Sequence, residues 1–311
     1  MDGRRGDAAP RLVISSRAVT EVNLLAVPNV SEGRDRSDVA AIGAAFASHG
    51  ARLLDTHSDP DHHRTVYTLA GHPGELASAL LRGATETLRR VDLAAPRGVH
   101  PHVGALDVVP LVHLDHDGRG AACAEALVVA DRLGEELALP VLLYGALAGG
   151  RTRAELRRGG PSMLAARLRS GELRPDFGPG EAHPTGGVAL VGARPPLAAF
   201  NVELAPPAGL AAARAIAARI REGGTEGLPG VRALGLPLAA RGGVAQVSMN
   251  VEDPLEVPLA RVVAAVAAHA PIAAAEIVGL VPRAALRDFP SDVPIVGGDA
   301  AGHVIEEALG L

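Results

Sequence analysis

The sequence has no lysine and no tryptophan, a single cysteine, few aromatic residues and no long unbroken apolar run. Each shortage closes off a kind of chemistry. Without lysine there is neither a Schiff-base amine nor a Walker-type lysine to reach a nucleotide's phosphates. All 30 basic residues besides the histidines are arginine. A lone Cys123 forms no intrachain disulfide and no thiolate zinc cluster. It sits in the apolar run AACAEALVVA, which reads as a packing thiol rather than a nucleophile. The Ala-rich run over residues 261–275 is broken by His269 and Pro271 and is too short to span a bilayer. The first residues carry arginines without the apolar stretch of a signal peptide, so residues 1–20 are expected to be a disordered leader. A formal net charge of -5 lacks the basic excess of a nucleic-acid binder. The expectation is a soluble cytoplasmic protein with neither a nucleic-acid nor a membrane partner.

What is present is aliphatic. Hydrophobic residues make up 48% of 311 residues, dominated by Ala, Val, Leu and Ile, enough for two packed subdomains. From Val22 the chain reads as a strand ending near Pro28, a helix from Asp35 to Gly50, the strand ARLLDTHS, a turn, and the strand RTVYTLAG. A helix opening at His72-Pro73-Gly74 and the strand GALDVVPLVHL follow. From Leu197 the order repeats: LAAFNVEL, a helix with prolines near its start, VRALGLPLAA, VAQVSMNV, a helix from Pro258, and AAEIVGLV. Each β-α-β-β-α-β run matches the ferredoxin-like arrangement, a four-stranded antiparallel sheet with helices on one face. The bare faces need cover, and each half is the obvious cover for the other. The fold class expected is α+β, two duplicated ferredoxin-like (βαββαβ) subdomains over residues 21–196 and 197–311, with a ligand cleft between them. The segment linking the halves carries a helix, the apolar strand PVLLYGAL, two short helices and the Gly/Pro-rich loop RPDFGPGEAHPTGG, a place for ligand contact.

Three clusters hold the reactive side chains. DTHSDPDHHRT contains Asp55, His57, Asp59, Asp61, His62, His63 and Arg64; VHPHVGALD contains His100 and His102; HPTGG contains His183. His100 and His102 alternate at period two, which on a strand sets both on one side, and with His57 or His62 they would suit a metal. Pro101 between them and the absence of an HExxH pattern argue against that, and no metal is expected. The other reading is acid–base chemistry by one imidazole. Residue types alone leave both open, alongside solvated turn histidines with no role.

Eight ordered blocks go further: VPNVSEGRD, LLDTHSDPDHHRTVYTLAG, HPHVGALDVVPLV, LPVLLYG, RPDFGP, GARPPLAAFNVEL, AQVSMNVED and EIVGLVPRAAL. Together they resemble the glutamate formimidoyltransferase family, including the transferase part of formimidoyltransferase-cyclodeaminase, over residues 27–286. The resemblance implies transfer of a formimidoyl (or formyl) group between N-formimidoyl-L-glutamate and N5 of tetrahydrofolate, with folate as co-substrate and a homodimer as the assembly. It implies that His100 is the catalytic histidine and that Arg64 lies in the substrate cleft with His57. It also implies that Gly178, Pro179, Gly180, Glu181, Ala182, His183, Pro184, Thr185, Gly186 and Gly187 form the folate-binding loop. The chain departs from vertebrate members at several points. His57 replaces an Asp, His63 an Asn, Val103 a Met and His102 an Arg, and Gly186 stands where an aromatic is expected. The competing readings are a metal-dependent amidine or amide hydrolase using His57, His100 and His102, and a folate-binding protein without catalysis.

Overall fold

The computed structural model describes residues 23–94 and 98–311; the leader expected over residues 1–20 lies outside the described residues. The first strand is split where Pro28 supplies no N–H. Its pieces, β1 (Leu24–Ala26) and β2 (Asn29–Val30), both lie between β4 (Arg64–Gly71) and β5 (Leu106–His113). The helix α1 (Arg36–Phe46) begins where the Asp35 carboxylate accepts the N–H groups of Ser37 and Asp38 at 2.8 and 3.1 Å, an N-cap written in the sequence. The strand β3 (Arg52–Asp59) pairs with the far side of β4. The helix α2 (Glu75–Arg90) lacks a capping side chain of its own. The buried Glu125 of α3 (Arg119–Leu137) instead accepts from Gly74 and Ala77, placing an anion where the helix dipole favours one.

The N-terminal sheet has seven strands, not four. Beside β5 run β7 (Ala189–Arg194) and then β6 (Val141–Leu143), both parallel. The expected strand PVLLYGAL is cut to three residues, because Gly145–Ala148 turns into a 3-10 helix. The strand β7 was not expected. Its sequence, ALVGAR, is a short apolar run beside a Gly/Pro-rich loop, and only the open edge of β5 makes it a strand. Two further helices, α4 (Arg153–Arg157) and α5 (Gly160–Arg169), pack through Leu156, Leu164 and Leu168 against Leu142, Tyr144 and Leu190.

The C-terminal sheet is antiparallel, in the order β11 (Ile272–Val278), β8 (Ala198–Leu204), β10 (Val244–Val251), β9 (Val231–Leu238). Helices α6 (Leu210–Ile220) and α7 (Leu259–Ala267) bury Ile216, Ile220, Val262 and Val266 against it. The prolines expected in the first turn of α6 lie outside it: Pro206–Pro207 is a cis peptide, and Gly209 is the N-cap.

The molecule is therefore α+β, with one aliphatic core under each sheet. The opposite sheet faces approach each other around a cavity lined by Leu25, Val66 and Val112 from one and Ala199, Asn250 and Val278 from the other. Near the chain's end Ile305 returns to pack on Leu25, Ala70 and Val112. Among the described residues, no helix is long and apolar enough to cross a membrane.

Candidate active site

The turn joining β3 to β4 carries the densest set of polar side chains and is tied from three sides. Asp59 is buried at the end of β3, where its Oδ1 accepts the backbone N–H of His62 at 2.7 Å and faces His62 Nδ1 at 3.1 Å. The segment before β5 crosses this turn, with Val99 N–H donating to Asp61 O at 3.0 Å. Gly98 permits the crossing, since a Cβ there would lie 2.3 Å from the His62 carbonyl carbon. From the other half, the β9–β10 hairpin lends Ala240 N–H to Asp61 Oδ1 at 2.8 Å.

His100 follows at once, its ring 6.0 Å from that of His62 and its Nδ1 buried without a hydrogen-bond partner. Behind it lies Asp107, fully buried at the start of β5. Its Oδ1 accepts Val103 N–H at 2.8 Å, and its Oδ2 accepts Arg64 Nη1 at 2.8 Å and a guanidinium N–H of Arg157. Arg64 also donates from Nε to Asn29 Oδ1 at 2.9 Å. Burial works against the Asp107 carboxylate, but Arg157 and Arg64 outweigh it and hold the group well below the usual carboxylate range. Burial brings Arg64 down to about 10 against the pull of Asp107. The His100 imidazole is pushed well below its ordinary value by burial first, then by the charges of Arg64 and Arg157. At neutral pH it is an uncharged ring with a nitrogen free to accept a proton.

His57 projects from β3 toward the other sheet, its Nε2 3.5 Å from Glu276 Oε1 on β11. Glu276 is buried and also accepts from Arg241 at 3.0 Å, Asn201 at 2.8 Å and Gln246 at 3.2 Å. Burial alone would raise Glu276; His57 and Asn201, then Arg241, hold it at about 2. That value lies below the roughly 4.3 of an unfolded glutamate. The stability Glu276 contributes is therefore present above that range and lost as pH falls toward 2. In Glu276→Gln the slope of unfolding free energy between about pH 4.5 and 2 should shrink, as read by urea titrations at stepped pH; an unchanged slope refutes it.

The loop over residues 178–187 straps from α3 to the His100 segment. Gly178 packs on Gly134, and its far end forms β-bridge pairing between Gly187 and Gly104, with Ala105 N–H donating to Gly186 O at 2.9 Å. Gly178, Pro179, Gly180 and Glu181 are exposed and Ala182 is half-buried; Pro184 and Thr185 are exposed at the bend, where Thr185 O accepts Leu93 N–H. His183 turns inward, its Nδ1 accepting Gly186 N–H at 2.9 Å. Gly186 is buried, and a Cβ there would come within 2.4 Å of Leu88 and 3.0 Å of His183 Nδ1. A side chain at this position would require the Leu88 methyl to move aside.

His100 and His102 do not share a strand face. They lie in an irregular segment ahead of β5, where His102 Nδ1 approaches His100 O at 3.2 Å. Among the described residues no group of three or more His, Cys, Asp or Glu side chains is arranged to hold a metal ion. The structure thus joins Arg64 through Asp107 to the segment that carries His100, and leaves His57 with Glu276. Asp107, Arg157, Asn29, Arg241 and Glu276 carry the geometry without having been singled out in the sequence. Asp107 had a signal, a charge opening the apolar strand LDVVPLV; Arg157, in the polar helix TRAELRR, had none.

Comparison with known proteins matches residues 23–194 to the formiminotransferase domain, N-terminal subdomain, and residues 199–290 to the formiminotransferase domain. The chain is 36% identical over 282 residues to formimidoyltransferase-cyclodeaminase of Sus scrofa, covering 84% of this chain and 50% of that protein. It is 33% identical over 295 residues to glutamate formimidoyltransferase of Thermoplasma acidophilum, covering 91% of this chain and 96% of that protein. The glutamate formimidoyltransferase of Streptococcus pyogenes serotype M1 is 34% identical over 272 residues, covering 84% and 90%. The chain spans about half the length of the cyclodeaminase-bearing relatives, 50% in Sus scrofa and Gallus gallus alike.

Proposed function

The chain belongs to the formiminotransferase family, and from that premise we propose that it moves a formimidoyl group between N-formimidoyl-L-glutamate and N5 of tetrahydrofolate. The observation that carries this reading is the half-buried, uncharged His100 imidazole, with its Nδ1 buried and without a partner, standing beside the Arg64–Asp107–Arg157 cluster. Transfer requires N5 to lose a proton as it attacks, and the glutamate nitrogen to leave carrying one. A neutral imidazole accepts the first proton. The formimidoyl carbon is activated by its own protonated nitrogen, so the step asks for no Lewis acid.

The two halves, read as duplicated ferredoxin-like units meeting near residues 196–197, form the cleft in this proposal. Both have the strand order that follows from a βαββαβ run, with the N-terminal sheet extended by β6 and β7. Asn29 lines the cavity between the sheets and takes Arg64 Nε at 2.9 Å, so Arg64 stands behind that wall. Residues 178–187 are assigned to the folate side of the site, because their closing turn is hydrogen-bonded to the His100 segment. His57 orients donor groups from β3, with Glu276 of the facing sheet behind it. A homodimer acting in the cytoplasm on folate and glutamate-derived small molecules completes the family reading.

An absorbance assay with tetrahydrofolate and either N-formimidoyl- or N-formyl-glutamate tests it. Turnover is expected with the formimidoyl donor; binding of both substrates without turnover on either donor ends the proposal. Arg64 has already given Nε and Nη1 to Asn29 and Asp107, so Nη2 is what it offers a donor carboxylate. Arg64→Lys keeps the charge but loses the fork. It should raise the KM for the glutamate donor by roughly tenfold, the worth of one charge-assisted hydrogen bond, and affect tetrahydrofolate less. Equal changes for both substrates would remove the carboxylate contact from the picture.

A further inference from the structure

His62 has no part in the scheme above, yet it is the best-placed imidazole next to His100. It is 7% exposed, and its ring stands 6.0 Å from the His100 ring at an interplanar angle of 57°. One side is fixed: Nδ1 faces Asp59 Oδ1 at 3.1 Å, and the same oxygen accepts the His62 backbone N–H at 2.7 Å. The other side is open, since Nε2 is buried without a hydrogen-bond partner, as is Nδ1 of His100. Two neighbouring rings each keep one buried nitrogen unsatisfied, a costly state that a native site tolerates where a ligand group completes it. Asp59 is itself held in place, with Arg241 Nη2 of the facing half 3.7 Å from its second oxygen.

We propose that His62, oriented by Asp59, is a second proton-carrying group of this site, working opposite His100. The proposal rests on the transferase reading. In the transfer, a bond forms from N5 to the formimidoyl carbon, and the bond from that carbon to the glutamate nitrogen breaks. N5 gives up one proton and the glutamate nitrogen takes one. Neutral His100 receives the proton from N5, and imidazolium His62 delivers its Nε2 proton to the departing nitrogen. Asp59 behind Nδ1–H stabilises the charged ring, as a carboxylate does in other Asp–His pairs. The turn ends with His100 protonated and His62 neutral. Return of one proton from His100 to His62 between turnovers restores both, so no oxidant, reductant or further reactant is needed. The division of labour fits the surroundings: His100 lies against two guanidiniums and His62 against a carboxylate.

The charged and titratable groups around His62 are Asp59 and Asp61 of its own turn, His100 with Arg64 and Arg157 behind it, Arg241 of the β9–β10 hairpin and Glu276 of β11. The experiment measures kcat against pH for the full chain, His62→Gln and Asp59→Asn, with tetrahydrofolate and N-formimidoyl-glutamate. The wild-type profile should rise as His100 loses its proton and fall on the alkaline side as His62 loses its own. His62→Gln should lower kcat about 10²-fold, leave KM nearly unchanged and abolish the alkaline limb. Asp59→Asn should move that limb to lower pH. A His62→Gln enzyme that keeps the alkaline limb, or loses activity uniformly across pH, overturns the role while the transferase reading stands. A wild-type chain inactive on this substrate pair overturns both. Long-range nitrogen–proton NMR reads the ring itself without turnover: neutral His62 should carry its proton on Nδ1 and titrate lower in Asp59→Asn. The opposite tautomer, or a titration indifferent to Asp59, also rejects the proposal.

Discussion

Replacing His100 with alanine should lower turnover by roughly 10²–10⁴-fold while leaving tetrahydrofolate affinity nearly intact. The size of the loss follows from the role proposed for the ring, an uncharged nitrogen that accepts the proton N5 sheds. Stopped-flow absorbance for turnover and equilibrium titration for affinity separate the two effects. A His100→Ala enzyme with wild-type turnover would remove the assignment. The fold should tolerate the change, because His100 Nδ1 makes no hydrogen bond that its loss would strand. The pH dependence of stability gives an independent reading. Burial, then Arg64 and Arg157, lowers the folded-state pKa of His100 below its unfolded value of 6.5. The unfolded chain therefore binds the extra proton first. The resulting penalty is absent above about pH 6.5 and grows as pH falls below it. His100→Ala should lose less stability than the wild type between about pH 7 and 5, measured by urea unfolding.

Asp107→Asn should cost about 3–5 kcal/mol of stability, the usual consequence of leaving buried charges without their counterion. The wild-type carboxylate uses both oxygens as acceptors, one for the backbone N–H of Val103 and one for Arg64 and Arg157. An amide offers one acceptor and one donor. Turned one way it aims N–H groups at two guanidiniums, and turned the other way at the Val103 N–H. Both arginine side chains are nearly out of solvent, at 11% and 13% exposed, so water does not replace the lost partner. For a unit of this size the change corresponds to a melting temperature lower by on the order of 10 °C. Turnover should fall as well, since Asp107 ties Arg64 to the segment that presents His100. Differential scanning calorimetry that finds the melting temperature unmoved would mean that the cluster is not what secures this part of the fold.

The order of strands and helices was readable because its signals are local. Asp35 caps α1 where the sequence places the start of that helix, and β8 to β11 follow the apolar runs. Where pairing depended on a distant edge, reading failed. ALVGAR became β7 only through β5, and PVLLYGAL shortened because Gly145 turns the backbone at φ 66°. The family blocks singled out His100 and Arg64 but not what binds them together.

By itself the sequence determined the order of elements, the aliphatic character of both cores and the formiminotransferase family. These rest on periodicity, turn residues and contiguous motifs, all fixed by neighbours along the chain. The tertiary structure alone decided that Asp107 would lie between Arg64 and Arg157, that Asp59 would face His62 Nδ1 with the His62 ring beside that of His100, and that Gly186 would pack against Leu88. Those contacts join stretches far apart in sequence, and their energies depend on burial and on charges met only after the sheets and loops have packed.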